Sequence, residues 1–173
     1  MTISMSSASL PVFKAMLANL SHILDRGEAH AEARKIDPNA LLQFRLAPDM
    51  LPFTRQIQIA SDAVKGCMAR LSGQTAPSWE DNEATFDDLI ARIQKTVDYL
   101  SSVPAERMDG TEEKEITIPV GKDKTRTFKC EAYLKHWALA NFFFHISMAY
   151  AILRHNGVEL GKADYLAGAA ART

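Results

Sequence analysis

The sequence predicts an all-α domain: a four-helix bundle with a long connection between its first two helices and a small β-hairpin before its last. Three observations carry that expectation. Apolar residues recur at steps of three and four along four separate stretches, the period of one helical face. The chain has 173 residues, against about 150 for one domain, so residues 1–173 read as a single domain. Hydrophobic residues make up 47% and charged residues 24%, an ordinary globular balance that excludes disordered, collagen-like and low-complexity classes.

The first helix is expected from Leu10, with Ser9 as its cap and Pro11 in its first turn. Its stripe is Leu10, Phe13, Met16, Leu17, Leu20, Ile23 and Leu24. Residues 27–49 are charged and broken, and Asp37-Pro38 ahead of Leu41, Leu42 and Phe44 reads as a short capped helix inside a long crossover. The second helix begins near Pro52, carries Phe53, Ile57, Ala60, Val64, Cys67, Met68 and Leu71 on one side, and stops at Gly73. The 73–84 loop, with Pro77 and Trp79, is short enough to join antiparallel neighbours. Thr85 is placed to cap the third helix, and Asp87 and Asp88 favour its positive end. Phe86, Leu89, Ile90, Ile93, Val97 and Leu100 form the third stripe.

Between Ser101 and Cys130 the helical period disappears. Glu115-Ile116-Thr117-Ile118, then Gly121-Lys122-Asp123-Lys124, then Thr125-Arg126-Thr127-Phe128 reads as a hairpin resting on the helices through Ile116, Ile118 and Phe128. The fourth helix is expected over about residues 131–155, ending at Asn156-Gly157.

A formal charge of −1 provides no field to hold a polyanion, so nucleic acid is not an expected partner. Two cysteines, Cys67 and Cys130, form no disulfide framework and suit a reducing compartment. The N-terminus has no cation before Lys14 and no continuous apolar run of the kind a signal peptide needs. No stretch approaches the length of a membrane span. The expected location is the cytoplasm, with no membrane partner.

The fourth helix carries the unusual chemistry. On a wheel at about 100° per residue, Leu134, Ala138, Asn141, His145, Met148 and Ile152 share one narrow stripe, so Asn141 and His145 sit one turn apart facing the core. A buried imidazole and amide need partners. Gln56 flanks the stripe of the second helix and is expected to point across, whereas Gln58 and Asp62 fall on its solvent side. The trio is either a satisfied polar network that fixes helix register or the lining of an inter-helix ligand pocket. As metal ligands, one imidazole and two carboxamides are a weak, neutral set. His136 is half a turn out of phase with His145 and is expected at the surface. His155 is placed to cap the negative end of the helix. His22 and His30 have no ligand-like partner nearby in sequence. Cys67 is expected to be buried and inert, while the start of the fourth helix would activate Cys130. Leu139, Phe143, Ile146 and Tyr150 fall on the back of the helix and need cover, from the crossover and hairpin or from a second copy in a two-fold homodimer. No GxSxG, P-loop, GxGxxG or HExxH motif is present.

The run Trp137-Ala138-Leu139-Ala140-Asn141-Phe142-Phe143-Phe144-His145, continuing through residues 149–158, resembles an uncharacterised bacterial and fungal branch of the DinB-like (DinB/YfiT) superfamily. Leu51-Pro52-Phe53-Thr54-Arg55-Gln56 and the tail Leu160-Gly161-Lys162-Ala163-Asp164-Tyr165-Leu166 match as well, so the resemblance spans almost the whole chain. It implies an up-down-down-up bundle, often dimeric. Its better-studied members hold a divalent metal with three histidines, one from the second helix and two from an HxxxH pair on the fourth, and some are thiol-dependent transferases or isomerases. His145 matches the second histidine of that pair; Asn141 stands at the first, and the second helix offers Gln56 or Gln58 but no histidine. The expected metal site is therefore degenerate, with His145 its one imidazole ligand, and the expected cofactor is none or a weakly held zinc or nickel ion.

Three functions follow as expectations. The leading one is a homodimeric bundle that binds a small molecule in an inter-helix pocket anchored by His145, Asn141 and Gln56. The others are a divalent-metal-dependent thiol-transferase-like enzyme and a non-catalytic dimeric structural or stress protein.

Overall fold

The computed structural model describes residues 3–172, a mostly helical chain with one two-stranded antiparallel sheet. Helix α1 (Met5–Arg34) starts a turn earlier than Ser9 predicts, because Ser4 and Ser7 cap each other reciprocally: the Ser7 amide donates to Ser4 Oγ at 3.3 Å and the Ser4 amide to Ser7 Oγ at 2.9 Å. Ser9 is instead buried inside the helix, its hydroxyl donating to the Met5 carbonyl at 2.7 Å. The helix also runs nearly three turns further than its apolar stripe, through the good helix formers of residues 28–34, until Lys35 takes a left-handed φ of 56°. Gly27 sits mid-helix because nothing larger fits: a Cβ there would lie 2.9 Å from Leu153 Cδ1 and 3.1 Å from Phe86 Cε1.

The crossover contains the expected short helix, α2 (Pro38–Leu42), with the Asp37 carboxylate accepting from the Asn39 amide at 3.0 Å. Its end is tied to helix α3 (Phe53–Leu71) by the Thr54 hydroxyl, which donates to the Leu42 carbonyl at 3.0 Å. Every predicted core residue of α3 is buried, and α4 (Phe86–Ser102) starts at its predicted cap, Thr85, which forms a capping box with Asp88.

The loop between these helices does not join antiparallel neighbours. The Phe53 ring lies 5.8 Å from that of Phe86, and Asp62 pairs with Arg92 at 3.1 Å, so like ends of α3 and α4 lie together. The 73–84 loop therefore returns along both helices. That return overturns the exposure expected for Gln58, which is 2% exposed and donates to Glu83 at 2.8 Å, while Asp62 keeps a side chain 43% exposed, as expected of the solvent side, and bonds Lys65 and Arg92.

Strands β1 (Glu115–Pro119) and β2 (Thr125–Lys129) pair in the register Glu115↔Lys129 to Pro119↔Thr125. Ile118 is buried against the helices, and the Phe128 ring meets Tyr133 at 6.0 Å and Trp137 at 5.7 Å. The last long helix is not uniform. It begins as α5 (Cys130–Tyr133), passes through a π-helical turn over Leu134–Ala138 and continues as α6 (Leu139–His155). A π turn carries one extra residue. The face of α6 in line with Leu134 therefore moves one place along the sequence, from Asn141, His145 and Met148 to Phe142, Ile146 and Ala149, all three fully buried. Asn141 and Met148 are left at the flank. Ile146, expected on the back, is in the core; Leu139, Phe143 and Tyr150 are half-buried.

A short C-terminal helix, α7 (Lys162–Ala167), covers part of that back. Tyr165 stacks edge-on to Tyr150 at 5.9 Å, and its carbonyl accepts from the Asn19 side chain at 3.0 Å. His22 Nε2 meets the Asp164 carboxylate at 3.2 Å, a partner 142 residues away that local sequence does not reveal. Among the described residues no helix is long and apolar enough to cross a membrane.

Candidate functional site

Two of the three predicted site residues come together. His145 Nδ1 lies 2.8 Å from Gln56 Oε1, and Gln56 Nε2 donates to the Leu51 carbonyl at 2.9 Å. The amide is thereby oriented with its oxygen toward the imidazole, so Nδ1 carries the proton and Nε2 keeps its lone pair. His145 is 8% exposed, and burial lowers its pKa, which favours the neutral ring. Removing either partner would strand a buried polar group at a cost of roughly 1–3 kcal/mol.

Asn141 does not join them. One turn back along α6, it is half-buried and bonds no protein group among the described residues. Asn141 lines a cleft of about 220 Å³ between α3 and α6, walled by Ile59, Ala63, Tyr133 and Trp137 and bordered by Ile118 of the hairpin. The π turn supplies this wall, since Trp137 and Ala138 belong to it.

A divalent metal does not fit these donors. Gln56 has both amide atoms engaged, Asn141 turns to the cleft, and His145 is a single imidazole with one nitrogen committed. Among the described residues no group of three or more His, Cys, Asp or Glu side chains is placed to hold an ion. His136 is exposed, as expected. His155 is exposed in the last turn of α6, its ring 5.6 Å from Phe44.

The thiols are not activated. Burial pushes the Cys67 thiol far up, as expected for a core cysteine. Cys130 is only 3% exposed, and burial raises its pKa despite the nearby Thr111 hydroxyl and Lys114 charge, which corrects the expectation of a reactive thiolate at the helix start.

Sequence reading missed two clusters because neither forms a motif. Arg92 of α4, 3% exposed, binds Asp62, Asp81 and Glu83 and fastens the returning loop. Trp79 of that loop lies under Lys65 and Lys95, whose ammonium groups are 4.2 and 4.8 Å from its ring centre. At the far end of the cleft, Arg70 donates to the Tyr133 hydroxyl at 3.2 Å.

No curated protein matches the chain. A solved structure, that of a DinB family member from Shewanella denitrificans, aligns with a TM-score of 0.85 and 39% identity, covering 93% of this chain and 90% of that one. The family model for a domain of unknown function, DUF1993, matches residues 5–166. With nearly the whole length matched and the same helical framework in a DinB-family structure, the chain belongs to the DUF1993 family and is DinB-like in fold.

Proposed function

We propose that this protein is an up-down-down-up bundle that binds a small molecule in the cleft between α3 and α6. The helix directions are supported by pairs of contacts. Ser6 binds Asp109 beyond the end of α4 while Gly27 approaches Phe86 at its start, so α1 opposes α4. Phe13 meets Phe142 and Gly27 meets Leu153, so α1 runs with α6.

The observation that carries the ligand reading is the Asn141 amide, half-buried on the wall of an aromatic-lined cleft with no protein partner among the described residues. Ligand sites combine such a wall with a few placed polar groups. The His145–Gln56 pair, a neutral imidazole held by the amide through Nδ1, sets the adjoining turn of α6 and does not supply the donors of a metal centre. Benzamide matches the site, with a flat ring for Trp137 and an amide for Asn141. In a Trp79→Phe background, it is expected to change Trp137 fluorescence saturably, and Asn141→Leu to weaken binding about fivefold, the roughly 1 kcal/mol of one hydrogen bond. Equal binding with and without Asn141→Leu overturns the reading.

A homodimer is a second proposal, favoured by Phe144, which projects from α6 beside His145 with 51% of its surface exposed, and by Leu51 at 43%. Sedimentation at the mass of two chains, reduced to one by Phe144→Lys, is the expected result.

A further inference from the structure

We propose that Arg70 is the anion subsite of the α3/α6 cleft, and that the ligand is a small organic acid with its acid group on Arg70 and its apolar body on Trp137. This rests on the ligand-binding reading above and adds a substrate class to it. The placement of Arg70 is built rather than incidental. Its guanidinium folds back over Gly66, where a Cβ would lie 2.6 Å from Nη1, so the glycine makes room for it. The Tyr133 hydroxyl, on a side chain only 3% exposed, accepts from Nη1 at 3.2 Å, and the guanidinium carbon stands 5.9 Å from the Tyr133 ring centre.

No carboxylate among the described residues pairs with Arg70. Asp62, the acidic residue of the same cleft, is engaged by Lys65 at 2.7 Å and Arg92 at 3.1 Å. A half-buried guanidinium retains most of its donors, and its planar fork matches carboxylate or phosphate oxygens. The charge around it reinforces the choice. Arg70 also lines a second hollow, of about 260 Å³, where Arg107 and Lys114 stand against the single carboxylate of Glu115. Positive charge thus gathers at the Arg70 end of the cleft, Asn141 lies further along α6, and Ile118 and Trp137 offer apolar surface. A single ring bearing one acid group suits a cleft of about 220 Å³.

The test compares four probes in the Trp79→Phe protein: benzoate, phenyl phosphate, neutral benzamide and inorganic phosphate. At least one of the two ring-bearing acids is expected to bind about tenfold tighter than benzamide, with the preference falling as salt is raised. Which acid wins separates a carboxylate from a phosphate ligand. Arg70→Gln is expected to bring the acids to parity with benzamide, while Arg70→Lys retains part of the preference. Gly66→Ala leaves the charge but displaces the guanidinium, and is expected to weaken acid binding with benzamide binding unchanged; it provides the test if Arg70→Gln fails to fold. Asn141-dependent benzamide binding with no preference for acids overturns the anion subsite and leaves the cleft reading standing. Acid binding that survives both Arg70→Gln and Gly66→Ala overturns it too, as does inorganic phosphate binding as tightly as the ring-bearing acids. Binding of none of the probes overturns both readings.

Discussion

Replacing Arg92 by Met is expected to lower unfolding stability by about 2–4 kcal/mol, far more than any surface ion pair is worth. The side chain is 2% exposed, and its two terminal nitrogens reach Glu83 at 2.8 Å, Asp81 at 2.9 Å and Asp62 at 3.1 Å, besides the Glu80 carbonyl at 3.1 Å. Removing it leaves Glu83, whose side chain is 9% exposed, without its cation, and releases the loop that covers α3. The range lies below the roughly 3–5 kcal/mol of a fully buried pair, because the Asp62 and Asp81 side chains are 43% and 35% exposed and partly solvated. The penalty should also depend on pH. Burial acts to raise the Asp81 pKa, but hydrogen bonds and charge from Arg55 and Arg92 outweigh it and hold the carboxyl below its ordinary value. The unfolded chain therefore takes up that proton first on acidification. The contribution is complete above about pH 4 and is lost as pH falls through the folded value. Urea unfolding of both proteins at pH 7 and pH 3 measures this, and the gap between them should narrow at the lower pH. A difference under about 0.5 kcal/mol at pH 7 would mean the cluster acts as separate surface pairs.

The same residues show why the helices were legible and their directions were not. Stripes such as Phe53 to Leu71 follow from local periodicity, and that one is buried throughout, while Leu10, Ile90 and Val97 of the first and third stripes are half-buried against the core. The loop joining α3 to α4 has a length equally compatible with a tight return between antiparallel helices and a run back along parallel ones. What selects the second is the placement of Asp81 and Glu83 against Arg92 and of Trp79 beneath Lys65 and Lys95, long-range pairings that no local pattern encodes. The longer α1 was hidden for a different reason. Residues 28–34 carry no apolar stripe, yet their helix propensity and the left-handed Lys35 extend the helix past the end of its hydrophobic pattern.

In the candidate site the error has one cause. A wheel turned uniformly from Leu134 to Ile152 puts Asn141 and His145 together in the core, and the π turn moves the core line by one residue. Gln56 and His145 still meet, since both lie near the α3 to α6 contact, but Asn141 is carried to the cleft wall. The Arg70 and Gly66 arrangement was invisible because a glycine inside a helix reads only as a weak helix former. Its role appears once the guanidinium is seen in the space a Cβ would fill.

The double substitution Gln56→His with Asn141→His is expected to convert the site into a zinc site holding close to one ion per chain after dialysis, where the natural donor set offers one imidazole. Positions 141 and 145 are one helical turn apart, the spacing at which two imidazoles share an ion from one face. Position 56 already brings a side-chain atom to 2.8 Å from His145 Nδ1, so a third imidazole there completes the minimum set for a site with one open position. Binding to the folded state alone should stabilise it, by about 4 kcal/mol when free zinc exceeds the dissociation constant a thousandfold. Adding His145→Ala should remove both metal and stabilisation, and the double variant should lose benzamide binding because Asn141 is gone. Metal content equal to that of the natural chain would show that position 141, on the cleft wall, lies too far from position 56 for the three side chains to share an ion, and that the cleft is not a metal site two substitutions removed. Zinc uptake would instead mean that the geometry of a three-histidine site persists in the backbone while this chain uses its side chains otherwise.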